Sequence, residues 1–282
     1  MRKIETSKEI QELTKNLKAQ GKTIAFVPTM GFLHDGHLSL IDKARQMADV
    51  VVVSIFVNEK QFNNTEDFAN YPIDIDSDLK KLENRSVDIV FIPSNEEVYP
   101  AGKGDPEIYL ESATDNVLCG KSRPGHFEGV CKVLRRLFDV VNPDYAIFGL
   151  KDFQQYLIVK KMVNYFKLPI EVIGADIVRC ESGLAMSSRN HNLSLENKDN
   201  AALIYEIMKN TKNEVKKTGN INSILQNSIR DIEKNSGFRV DYFEIRKESD
   251  LSIVTNHDNV QASRLFASVN VGEVRLIDNL SI

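Results

Sequence analysis

Five short apolar runs punctuate the first 178 residues: 24–27 (IAFV), 49–57 (DVVVVSIFV), 88–93 (DIVFIP), 145–150 (YAIFGL) and 170–178 (IEVIGADIV). Nearly continuous runs of this length are expected of strands buried on both faces of a parallel sheet. Between them, apolar positions recur at helical spacing over residues 4–19, from His37 to about Ala48, and over 75–82, 127–141 and 152–166. Thr6 and Ser7 are candidate caps for the first of these helices. Strands alternating with helices predict a doubly wound, Rossmann-like α/β fold with a parallel sheet. Residues 94–126 are mixed, with a short alternating piece at 107–110.

The pattern changes after about residue 180. Two helical stretches (195–217 and 221–235) precede two alternating ones (238–246 and 264–278), the latter with a turn at Gly272. Helices followed by antiparallel strands predict a smaller α+β unit. The expected division is a catalytic domain over 1–178 and a C-terminal lid domain over 179–282.

Composition narrows the class. With 282 residues, 27% charged and 42% hydrophobic, the chain matches a globular protein able to bury a sizeable core. The formal net charge of −4 supplies no basic field to recruit nucleic acid. No apolar run approaches the roughly 20 residues needed to span a bilayer, and the polar helical start MRKIETSKEIQEL does not read as a signal peptide. Cys119, Cys131 and Cys180 lack metal-ligand or redox spacing, which points to a reduced, cytoplasmic setting.

The polar segments at the expected strand exits carry the chemistry. The first run leads into PTMGFLHDGH, where Gly31, His34, Gly36 and His37 form a GxxHxGH turn before a helix. Such a turn aims main-chain N–H groups and the positive helix end at an anion, and the two imidazoles add donors. The second run ends in NEKQF, the fourth in GLKDFQQ and the fifth in RCESGLAMSSRN. In an open parallel sheet, ligands gather at these carboxyl ends. Lys151 suits phosphate oxygens; Asp152, an acceptor only, suits ribose hydroxyls or a lysine partner. The turn of Met186, Ser187, Ser188 and Arg189 offers hydroxyls beside a guanidinium, although helix capping explains it too. Gln61 and Gln155 can each donate to a carboxylate while accepting from a hydroxyl. Met30, Phe56 and Phe62 could cover an apolar substrate group, or simply pack the core. His191 and His257 lack a partner pattern and read as surface residues.

The segments PTMGFLHDGH, FVNEKQF, RPGHFEGV (123–130), FGLKDFQQ and GLAMSSRN, in this order, resemble the pantoate–β-alanine ligases of the HxGH nucleotidyltransferase superfamily. The resemblance implies ATP-dependent condensation of pantoate with β-alanine through a pantoyl adenylate, releasing pyrophosphate and then AMP. It implies catalytic roles for His34, His37 and Lys151, with His37 as proton donor. It places ATP against Met30, Gly31, Phe32, Leu33, His34, Asp35, Gly36, His37, Gly149, Leu150, Lys151, Asp152, Val178, Met186, Ser187, Ser188 and Arg189. Gln61 is assigned to pantoate and β-alanine, and Gln155 to pantoate. Arg123 and His126 would reach the phosphates or second substrate, unless their loop is structural. Mg²⁺ is expected with ATP, and Asp78, with Asp76 as neighbour, matches the acidic position; a solvated helix face is the alternative for both. A homodimer is implied as well.

Three positions depart from the family pattern: Glu59 replaces a proline in FVNPxQF, Ile73 an arginine in YPR, and Leu150 a glutamate in GEKD. These departures put substrate affinity in question before the reaction itself.

Overall fold

The computed structural model describes residues 1–256 and 258–282; His257, read from the sequence as a surface residue, lies outside the described residues. The chain forms two compact units, one comprising Met1–Leu150 and Gln154–Asp176, the other Lys151–Phe153 and Ile177–Ile282.

The first unit begins with β1 (Arg2–Ile4), α1 (Ser7–Ala19), β2 (Ile24–Thr29), α2 (Asp35–Met47) and β3 (Val50–Ile55). A 3-10 turn at Glu59–Gln61 leads to α3 (Thr65–Ala69), α4 (Ile75–Asn84), β4 (Ile89–Phe91) and α5 (Asn95–Val98). Then follow α6 (Ser112–Asp115), α7 (Leu118–Ser122), α8 (His126–Val141), β5 (Tyr145–Gly149), α9 (Phe153–Tyr165) and β6 (Glu171–Ala175). All six strands are parallel, in the order β1-β4-β3-β2-β5-β6. The predicted parallel α/β sheet is therefore present.

Period-two alternation assigns the two faces of β2. Ala25 and Val27 join Leu38, Leu40 and Ile41 of α2 in one buried cluster. Phe26 meets Phe138 of α8 edge-on, with ring centroids 6.4 Å apart. Thr6 caps α1, its hydroxyl accepting from the Glu9 amide at 3.3 Å; such a cap contributes about 1 kcal/mol.

The order of strands reverses at β2 and β5, and these two are the least joined. β2 pairs with β3 along its whole length but with β5 only at Ala25 and Phe26. Beyond them lies Pro28, which has no N–H to give a second neighbour. The sheet thus parts at the carboxyl ends of β2 and β5, the switch point where open α/β sheets hold ligands.

The second unit holds a 3-10 turn at Ser188–Asn192, α10 (Leu195–Thr218), α11 (Ile221–Glu233), and an antiparallel sheet of β7 (Phe238–Lys247), β8 (Ser263–Val271) and β9 (Val274–Ser281). Its core includes Ile204, Met208, Ile224, Ile245, Leu265 and Val269.

One sequence expectation needs correction. The amino terminus is not helical from residue 4, because Arg2–Ile4 forms an edge strand parallel to β4. The alternating piece at 107–110 lies in no strand. The alternating stretch 264–278 is two strands joined at the expected turn, Gly272, whose φ of +57° suits glycine.

Candidate active site

The turn after β2 is tied down from within. The Thr29 hydroxyl donates to the Ser54 carbonyl at 2.7 Å and accepts from the Gly31 amide at 3.2 Å. Gly31 has φ +81°, and a Cβ there would lie 2.9 Å from Ile55 and 3.0 Å from Asp78. Phe32 is also left-handed, at φ +51°, a conformation that costs a non-glycine residue about 1–3 kcal/mol unless its surroundings hold it. Asp78 of α4 does so, accepting from the Phe32 and Leu33 amides at 2.7 Å each. Lys81, one turn along α4, donates to the Leu33 carbonyl at 2.7 Å.

The histidines complete the helix start. His34 is the N-cap of α2, and its Nδ1 accepts from the Gly36 amide at 3.1 Å. Nδ1 of His37 accepts from the His34 amide at 3.4 Å. The two rings lie side by side, centroids 4.1 Å apart and inclined by 36°. A ring nitrogen that accepts carries no proton, so each neutral imidazole has its proton on Nε2.

This changes the expected chemistry of the turn. The amides of Gly31, Phe32, Leu33, His34 and Gly36 already donate within the protein. They are therefore not the anion donors of this arrangement; the Nε2–H groups of His34 and His37 and the helix dipole are better suited. Asp35 is exposed and lies in the first turn of α2.

Asp78 also departs from expectation. It is fully buried, not on a solvated face, and burial raises its carboxyl pKa against the lowering effect of the two amides. With both oxygens on main-chain donors, this carboxylate does not fit a direct metal site. Among the described residues, no group of three or more His, Cys, Asp or Glu could hold a metal ion. Asp76 is exposed, in keeping with a solvated face.

Gln61 sits in a second network of the same unit. Its Nε2 donates to the Met30 sulfur at 3.0 Å, and its Oε1 accepts from Asn58 at 3.1 Å. Asn58, 1% exposed, also donates to the Gly129 carbonyl at 3.1 Å and accepts from the Tyr99 hydroxyl at 2.9 Å. Burial pushes the Tyr99 phenol above its usual range, so it stays a donor. The His126 Nδ1 lies 2.8 Å from the Gln61 carbonyl, and Arg123 lies 3.0 Å from His126 Nε2. Arg123 and His126 therefore brace the backbone of Gln61. Asn58 and Tyr99 went unnoticed in the sequence, where no periodicity links residues 41 positions apart.

Gln155 is half-buried in α9. Its neighbour Gln154 is 5% exposed and holds the 114–119 segment through Thr114, Val117 and Cys119. Phe56 and Phe62 are half-buried, and Phe62 packs edge-on against Phe68 and Tyr71. Leu150 lies against bare Gly174 of β6, where an added Cβ would come within 2.5 Å; an apolar side chain suits that contact. Ile73 is 64% exposed and Glu59 is exposed.

Gly149 ends β5 in the first unit, and the remaining expected residues belong to the second. Lys151 is mostly buried along its side chain, with its ammonium 3.7 Å from exposed Asp152. Residues 178–186 form a tight loop: the Met186 amide donates to the Val178 carbonyl at 3.0 Å, and Arg179 bridges to Ala185. Ser187 caps the next turn, its hydroxyl accepting from the Arg189 amide at 3.3 Å. Ser188 and Arg189 are half-buried, and His191 is exposed. The expected site residues thus fall into two groups. Residues 30–37, Gln61, Asp78, Arg123 and His126 are joined by contacts in the first unit, whereas Lys151, Asp152, Val178 and residues 186–189 lie in the second.

Comparison with known proteins agrees with these motifs. The model of the family described as pantoate-beta-alanine ligase matches residues 2–281. The pantothenate synthetase of Leptospira interrogans is 44% identical, covering 98% of this chain and 96% of its own. That of Fervidobacterium nodosum is 43% identical, covering 100% and 99%. The crystal structure of pantothenate synthetase from Thermus thermophilus superposes with a TM-score of 0.92 at 37% identity, covering 100% of this chain and 99% of that one. The pantoate-beta-alanine ligase from Francisella tularensis, complexed with beta-gamma ATP and beta-alanine, gives 0.83 at 36% identity, with coverages of 100% and 97%. The chain belongs to the pantoate–β-alanine ligase family.

Proposed function

We infer that this protein joins pantoate to β-alanine in two steps driven by ATP, by way of a pantoyl adenylate. The observation that carries the reading is the family match across residues 2–281, which includes every motif at the strand exits.

In the first step a pantoate carboxylate oxygen attacks the α-phosphorus of ATP, forming the acyl–phosphate bond while the bond to pyrophosphate breaks. The carboxylate is already ionised, so no strong base is needed. The requirements are in-line placement and donors that follow the negative charge onto pyrophosphate. The Nε2–H groups of His34 and His37, fixed by acceptor bonds at Nδ1, are suited to that task, with His37 the proton donor. Lys151 neutralises phosphate oxygens, Met186, Ser187, Ser188 and Arg189 lie over the triphosphate, and residues 30–33, Asp35, Gly36, Gly149 and Leu150 line the ATP site. Asp152 and Val178 complete the nucleotide contacts. Gln61, oriented by Asn58 and Met30, reads pantoate and β-alanine, and Gln155 reads pantoate. In the second step the β-alanine amine attacks the acyl carbon, an amide forms and AMP leaves with the attacking carboxylate oxygen. Mg²⁺ would accompany ATP, with phosphate oxygens among its ligands. The protein acts as a cytoplasmic homodimer.

Incubation with Mg·ATP, pantoate and β-alanine tests the reading by mass spectrometry. Pantothenate and AMP in equal amounts are expected; AMP formation that does not need pantoate would contradict it. His37→Ala lowers pantoate-dependent ATP–pyrophosphate exchange by about 10²–10⁴-fold while ATP binding stays measurable. Equal exchange in variant and parent removes His37 from the mechanism.

A further inference from the structure

Two adjacent polar residues of β9, Asp278 and Asn279, are 9% and 2% exposed. Polar groups in such places are costly unless paired. Asp278 accepts both arms of the Arg179 guanidinium, at 2.5 and 2.9 Å, and that guanidinium lies 3.6 Å over the Tyr205 ring. Asn279 Nδ2 donates to the main-chain carbonyl of Lys151 at 2.8 Å, and its Oδ1 accepts from Arg264 at 2.6 Å. A guanidinium can only donate, so Arg264 fixes which end of the carboxamide faces Lys151. Arg264 is itself held by Glu248, at 3.0 and 2.8 Å, and lies 4.4 Å over the Phe153 ring. Phe153 packs against Phe266 of β8, centroids 5.9 Å apart. The segment Lys151–Phe153 is thereby fastened to the C-terminal sheet at both ends.

We propose that Asn279 is a positioning residue for the reaction, its carboxamide setting the main chain at Lys151 and so the point from which the ammonium meets the phosphates. The inference rests on the role assigned above to Lys151.

Asn279→Asp tests it in the full-length protein. The variant keeps the shape and the acceptor for Arg264 but turns an oxygen toward the Lys151 carbonyl. Pantoate-dependent ATP–pyrophosphate exchange is measured for Asn279→Asp, Lys151→Ala and the double variant, beside thermal unfolding. Asn279→Asp is expected to lower kcat about 10-fold or more, as small misplacements of reacting groups do. KM for pantoate should stay within about twofold, and the kcat loss should vanish in the Lys151→Ala background. A kcat lowered by Lys151→Ala but not by Asn279→Asp overturns this inference alone. The same fold loss from Asn279→Asp in both backgrounds shows a purely structural residue and also overturns it. A kcat unmoved by Lys151→Ala overturns the lysine's role and this inference together. Should the aspartate variant not fold, Asn279→Ser, which removes the contact without adding charge, is read in the same cycle.

Discussion

Histidine is an uncommon helix N-cap, a place that Ser, Thr, Asp and Asn usually take. Any of these would accept from the Gly36 amide as His34 does, but none would present an imidazole Nε2–H; Asn offers only an amide N–H held closer to the main chain. The choice of His34 therefore follows from chemistry rather than from helix stability. His34→Asn separates the two: stability by denaturant unfolding is expected to change by no more than about 1 kcal/mol, while exchange falls about 100-fold. Asp78 poses the opposite case, a charged residue kept for structure. Its removal leaves two N–H groups without their acceptor, each worth about 1–3 kcal/mol. Asp78→Ala should thus destabilise the protein by about 2–6 kcal/mol, whereas a loss below about 1 kcal/mol would show that the turn has other support.

At the scale of elements, α8 and the Glu59–Gln61 turn approach through glycine. A Cβ at Gly129 would lie 2.1 Å from the Lys60 carbonyl oxygen and 2.7 Å from the Gln61 Cα. Gly129→Ala is expected to cost about 1–3 kcal/mol by overpacking and to raise KM for pantoate more than KM for ATP, since Gln61 moves. An equal rise in both would detach Gln61 from pantoate. The loop before α6 is fastened by Asp105, which meets Lys60 and, at 2.9 Å, Lys132. These two lysines hold the Asp105 carboxyl down at about 2. A depressed carboxylate pKa stabilises the fold above the unfolded value and loses that effect as pH falls toward the folded one. Asp105→Asn should therefore be less stable than the parent by about 0.5 kcal/mol, a figure discounted for exposure. That difference should hold from about pH 7 to about 5 and shrink as pH drops through 3.8 toward 2. A constant difference down to about pH 2.5 would deny the ion pairs their role.

Some elements were legible in the sequence and others were not, for physical reasons. The β2 turn and α2 could be read because an apolar run, glycines and a helical repeat are local signals. β1 could not: it has three residues, of which only Ile4 is buried, and its partner β4 is far along the chain, Ile4 pairing with Phe91. Residues 107–110 alternate without forming a strand, because alternation alone supplies no neighbour to pair with. The same limit hid the tasks of Asp78, Asn58 and Asn279, whose partners are distant in the chain. The adjacent polar pair Asp278 and Asn279, set within an alternating strand, was the one local sign of such a task.

For the molecule as a whole, composition and topology agree on a globular enzyme. Among the described residues no helix is long and apolar enough to cross a membrane. The proposed homodimer is checked by sedimentation: a species of about twice 31.9 kDa is expected, and a monomer at working concentration would contradict it. The central claim is that a carboxylate oxygen of pantoate becomes bonded to the α-phosphorus of ATP. Pantoate labelled with ¹⁸O in its carboxylate tests this most directly, with the nucleotide product analysed by mass spectrometry after β-alanine is added. The account predicts one ¹⁸O atom in AMP. Unlabelled AMP, or ADP with the label in inorganic phosphate, would contradict it.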